Sequence, residues 1–126
     1  MRKIILTILI GLGLVAVATL VLKDLPESSS WLTTDTGFHF LGGIYAAWCG
    51  SLLVRGQTKV FLVALAIGLA WELAEYTSSV YGPNYWPTIY RYYHSGGLVD
   101  TVYDLSADIL GAIGFLLVYC RDEKEK

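Results

Sequence analysis

Four blocks of apolar residues, 4–22, 36–54, 60–78 and 98–120, alternate with shorter polar stretches along the chain. Each is close to the roughly 20 residues that a helix needs to cross a hydrocarbon core about 30 Å thick. Within the blocks the apolar residues run together instead of recurring on one face, which favours membrane spans over the helices of a soluble core. The pattern therefore predicts an all-α fold. It is a polytopic membrane protein with four transmembrane helices packed as a small bundle, in a single transmembrane domain covering residues 1–126.

The blocks differ in their boundaries. The first follows Arg2 and Lys3, and Ala16-Val17-Ala18 resembles a signal-peptidase site. Its apolar run is longer than a signal core and continues through Leu20-Val21-Leu22, so an uncleaved first span is expected over a cleaved segment 1–18. Residues 23–35 form a polar connection with Pro26 and a run of serines, and Asp35 or Thr36 is placed to cap the second span. Residues 55–59 make a turn short enough to force the second and third spans into an antiparallel hairpin. Residues 79–97 are expected as a loop rich in tyrosine with Trp86, Pro83 and Pro87, a composition suited to the membrane interface.

Composition agrees. Of the 126 residues, 55% are hydrophobic and 16% charged, whereas soluble domains carry nearer a quarter charged. The net charge of −2 and the absence of a basic run exclude a nucleic-acid partner. Cys49 and Cys120 lie far apart in apolar blocks, without metal-ligand or redox spacing, and are expected as buried thiols. Seven basic residues (2, 3, 55, 59, 121, 124 and 126) fall on one side of a four-span chain, and only Lys23 and Arg91 on the other. That asymmetry places both termini in the cytoplasm of a cell whose inner or plasma membrane the protein crosses several times.

The last block is apolar enough to span a membrane, yet it carries Asp100, Asp104 and Asp108 at four-residue steps. Such positions lie about 40° apart around a helix, so the three carboxylates form one stripe, which Gly111 continues. Each aspartate at the centre of a span costs about 2.5–3.5 kcal/mol on insertion scales. Depths follow from the helical rise. Asp100, Asp104 and Asp108 lie roughly 3, 9 and 15 Å below the outer surface, and Glu72 and Glu75 roughly 18 and 22 Å from the cytoplasmic end of span three. Asp35 and His39 open span two at the same level. Three helices thus bring ionisable groups to the outer half of the bilayer.

Each helix repeats one layout. Small residues follow the polar ones along Asp35, His39, Gly42, Ala46 and Gly50, and they precede them along Ala64, Gly68, Glu72 and Glu75. Small residues let helices approach closely, so the inner halves are expected to touch while the outer halves enclose a cavity. No lysine or arginine lies inside a block to neutralise the acids, leaving His39, or Arg91 and His94 from the following loop, as partners. Without such a partner the carboxylates are protonated, exposed to a water-filled cleft or bound to a metal ion; like charges this close repel, and a divalent cation would relieve the repulsion. A set of carboxylates and one imidazole (His39, Glu72, Glu75, Asp100, Asp104, Asp108) suits Mg²⁺, Mn²⁺ or Ca²⁺, with Zn²⁺ less favoured. His39, Glu72 and Asp104 are the candidate catalytic groups, while Trp71 and Tyr103 are read as packing.

At these residues the chain resembles the VanZ-like and YjdF-type integral membrane proteins. The match consists of Asp35-x3-His39, Glu72-x2-Glu75, and Asp100-x3-Asp104-x3-Asp108 with Gly111-Ala112 and Gly114, spanning about residues 35–119. VanZ-like members often have Gln in place of Glu75 and Asn in place of Asp108, so this chain is closer to the more acidic YjdF-type variant. The resemblance implies a bacterial or archaeal multi-span protein, linked through one member to glycopeptide resistance, and implies no particular chemistry.

Three functional readings remain. One is a membrane-embedded hydrolase or transferase that acts with a divalent cation on a lipid-linked or envelope substrate. The second is a cation- or proton-coupled carrier, and the third a structural or accessory protein whose acids pair with a partner subunit. Membrane lipids are expected partners in each case, and a carrier of four spans would work as a homo-oligomer. Neither an activity nor a nucleophile motif is legible in the chain.

Overall fold

The computed structural model describes residues 2–22, 34–87 and 97–124. Within them lie four long helices and no strand: α1 (Arg2–Leu22), α2 (Thr34–Leu53), α3 (Gln57–Tyr85) and α4 (Leu98–Lys124). The protein is an all-α membrane protein. By length and composition, Gln57–Tyr85 and Leu98–Tyr119 pass as membrane-crossing segments in their own right.

The distribution of side chains decides the environment. The buried apolar core consists of Ala46, Ala47, Val60, Ala64 and Ala112, with Phe61, Phe115 and Leu116 packed against it. The large apolar side chains point outward instead: Leu73 is 64% exposed, Leu110 60% and Leu117 71%. Water would penalise each of them by about 1.5–3 kcal/mol, whereas hydrocarbon would not. Small and polar residues inside with leucine outside is the arrangement expected of helices packed in lipid.

The helices are held by backbone approach at glycine. A methyl group on Gly43 would strike the carbonyl oxygen of Asp108, and one on Gly111 the carbonyl oxygen of Phe40, so α2 and α4 touch backbone to backbone. Gly50 backs onto Val60 and Val63, which closes the inner end of the α2–α3 seam. The buried face of α3 is Val60, Ala64, Gly68, Glu72, Glu75, Ser78 and Gly82, the expected stripe extended at both ends. α1 packs chiefly on α2, where the Tyr45 hydroxyl donates to the Thr7 carbonyl at 2.8 Å.

Several boundaries differ from expectation. α3 continues seven residues beyond the expected end at 78, so Tyr81 and Pro83 belong to a helix and not to a loop. Pro83 removes a single i to i−4 bond there, and the final turn is still closed by the Trp86 N–H on the Gly82 carbonyl at 2.8 Å. The α2–α3 turn is shorter than the expected five residues; it occupies 54–56 and turns on Gly56, whose φ of 96° excludes most side chains. Asp35 lies in the first turn of α2, where a carboxylate favours the helix dipole, and not at its cap. Cys49 is only partly buried, and the Cys120 side chain, Arg91 and His94 lie outside what is described.

Candidate functional site

His39 stands at the centre of the polar site, 6% exposed, one turn inside the start of α2. Its Nδ1 faces Asp108 Oδ2 at 3.4 Å and Glu72 Oε1 at 3.8 Å, while its Nε2 faces Asp104 Oδ2 at 3.8 Å. One imidazole therefore stands between carboxylates from α3 and α4. Such a ring carries one N–H donor when neutral and two when protonated, which is fewer than the surrounding carboxylate oxygens can accept.

The acids are placed by their helices. Steps of four on α4 turn Asp104 and Asp108 toward α2, and Asp104 is 1% exposed. Its other oxygen lies 3.4 Å from the Thr36 hydroxyl, which donates to it. Asp108 has room because two helices carry glycine opposite it: a methyl group on Gly68 would lie 2.9 Å from Asp108 Oδ2, and one on Gly42 3.4 Å from Oδ1. On α3 the i, i+3 pair of Glu72 and Glu75 faces inward, and both are buried. Glu75 is oriented from its own helix, because the Trp71 indole N–H donates to Glu75 Oε1 at 2.8 Å.

Both oxygens of Glu72 and one of Asp104 are enclosed without a short hydrogen bond among the described residues, as is the Ser78 hydroxyl, and the Thr101 side chain is the donor that reaches toward Glu72. Leaving a buried carboxylate oxygen unmatched is costly, so these positions are ones that a cation, a proton or a water molecule would satisfy. Two triads have ligand atoms within 4.8 Å of one another: His39, Glu72 and Glu75, and Asp35, His39 and Asp104. Asp108 borders both through its contact with His39. Asp100 falls in neither triad; it lies partly buried in the first turn of α4.

A cavity of about 280 Å³ opens on the α1 side of this site. Asp35, His39, Glu75 and Asp108 line one part of it, and Leu14, Val15, Phe38, Ala46, Ala64 and Ile67 line the rest. The polar halves of the helices therefore do not simply part: α2 and α4 close against each other at Asp108 itself, and the free space lies toward α1 and α3.

Most expected site residues converge. The positions not anticipated are Thr36, Trp71 and Asp35, the last as part of a ligand triad. Trp71 is not mere packing, and its i, i+4 spacing to Glu75 was the available signal. Tyr103 is 42% exposed and faces outward. Gly114 has no neighbour that a methyl group would meet, so it marks no helix crossing.

An all-α bundle with lipid-type outer faces and a buried acid–histidine site defines an integral membrane protein. The chain belongs to the family described as predicted membrane protein (DUF2238), whose model matches residues 4–124. No curated protein and no solved structure matches it.

Proposed function

We propose that the protein is a membrane-embedded hydrolase or transferase that holds a divalent cation in the outer half of the bilayer and acts on a lipid-linked or envelope substrate. The observation that carries this reading is the set of enclosed Glu72 and Asp104 oxygens, three of them without a short hydrogen bond, around a single buried histidine. Ligands bonded to one cation at about 2.1 Å lie roughly 3.0–3.4 Å apart when adjacent. His39 Nδ1 and Glu72 Oε1, 3.8 Å apart, are a few tenths of an ångström wider than that spacing, and Asp108 Oδ2, 3.4 Å from Nδ1, lies at its edge.

In this proposal Nδ1 of His39, Glu72 and Glu75 hold the ion, with Asp108 beside them. Nε2–H of His39 then points at Asp104, which Thr36 holds in turn, the outer support that ligating histidines usually have. Trp71 fixes the Glu75 carboxylate in the same way. Such a cation polarises a phosphoryl or acyl oxygen of a bound substrate. Asp35 and Asp108, which line the cavity, are the groups placed to take or return a proton there.

The basic-residue asymmetry supports an orientation with both termini cytoplasmic, so the site faces the envelope. The resemblance to VanZ-like and YjdF-type proteins agrees with an envelope role. A carrier would need a second opening, and the closed α2–α3 seam at Gly50 favours the enzyme instead.

The test is a thermal-shift titration of purified, detergent-solubilised protein with Mg²⁺, Mn²⁺, Ca²⁺ and Zn²⁺ at pH 5.5 and pH 8. At least one ion should raise Tm in proportion to its excess over Kd, and more at pH 8, because carboxylate and imidazole ligate only when deprotonated. Glu72→Gln should respond much less. If no ion raises Tm, or the variant responds as the parent does, the proposal fails.

A further inference from the structure

The cavity beside the acid–histidine site is polar at one end and hydrocarbon at the other. On α3 its lining runs from Glu75 through Trp71, Gly68 and Ile67 to Ala64, about 16 Å along the axis at 1.5 Å per residue. On α2 it runs in the opposite chain direction from Asp35 and His39 through Gly42 to Tyr45 and Ala46. The carboxylates thus gather around His39 toward one end, and the apolar residues lie toward the other. Gly11, Leu14 and Val15 of α1 form the remaining wall.

We infer that this cavity binds a single-chain amphiphile whose head is a substituted ammonium group, with the chain along α1 and the head between Asp35 and Asp108. Three observations carry it. The lining includes three carboxylates against one imidazole, His39 on Asp108, and no lysine or arginine, so a cationic head is the complementary one. Phe38 and Trp71 border the same space, and aromatic faces attract alkylammonium groups. α1 packs chiefly on α2, so the slot between α1 and α3 gives a chain a lateral route from the lipid.

The inference goes beyond the proposed catalysis and does not rest on it. The deepest orphaned oxygens, on Glu72 and Asp104, belong to residues that do not line the cavity. A head at Asp35 and Asp108 leaves them to a cation or to protons.

The experiment uses the full-length protein in uncharged detergent with EDTA present. Dodecyltrimethylammonium, dodecanol and dodecyl phosphate are titrated while Tm and tryptophan fluorescence are followed. The ammonium compound should raise Tm and saturate the fluorescence change at about tenfold lower concentration than either other probe. Asp108→Asn and Asp35→Asn should each remove that preference, and Val15→Trp should weaken all three probes by filling the wall. If Val15→Trp does not fold, Leu14→Phe takes its place. Equal responses to the three probes, a preference for dodecyl phosphate, or a preference that survives both asparagine variants would overturn the inference. Because EDTA is present throughout, these outcomes are independent of the metal titration.

Discussion

Removing a carboxylate from a crowded acid cluster relieves repulsion, whereas breaking a buried ion pair leaves a charge unmatched and destabilises by about 3–5 kcal/mol. The two orphaned oxygens of Glu72 make it the first kind of residue in the absence of metal. Glu72→Ala is therefore expected to keep or raise Tm in EDTA and to abolish function; a large fall in Tm would mean that the carboxylate is structural. Trp71→Phe keeps the ring and removes the donor on Glu75. Loss of an outer-support bond of this kind costs about 10–100-fold in metal affinity, so a metal titration of this variant should show a weaker ion with little change in Tm without ion. At this scale the acids and His39 were legible because ionisable groups are conspicuous in apolar blocks. Trp71 was not, because an indole in a membrane helix satisfies packing and interface equally well until its N–H is seen on a carboxylate.

The elements owe their arrangement to small residues in register with the acids. Gly43 and Gly111 bring α2 and α4 into backbone contact beside Asp108. Gly43→Leu should separate these helices and yield protein that aggregates on extraction, observable by size-exclusion chromatography. Gly114→Ala, where nothing lies within contact range, should behave as the parent. The stripes on α2, α3 and α4 were readable because a step of three or four fixes one face whatever the neighbouring helix. The end of α3 was not, since Gly82-Pro83 signals a break in water-exposed chain, but late in a helix it costs one backbone bond. Nor could sequence spacing show that the cavity lies toward α1, because that depends on which pairs of helices close first.

For the whole molecule, the outward leucines and the inward alanines and acids make lipid the solvent for the fold. The seven-to-two division of basic residues then sets the expected orientation. Single-cysteine variants at positions 57 and 95 should label from the cytoplasmic and external sides respectively; labelling of position 57 in intact cells by an impermeant reagent would reverse the topology and move the site to the other leaflet.

In the proposed site the two α3 carboxylates, Glu72 and Glu75, and His39 of α2 hold one divalent cation. Anomalous diffraction from crystals grown with Mn²⁺ tests it most directly. A single strong peak is expected about 2.0–2.3 Å from His39 Nδ1 and from oxygens of Glu72 and Glu75. Well-ordered density at these side chains with no anomalous peak among them, or peaks confined to acids on the surface, would contradict it.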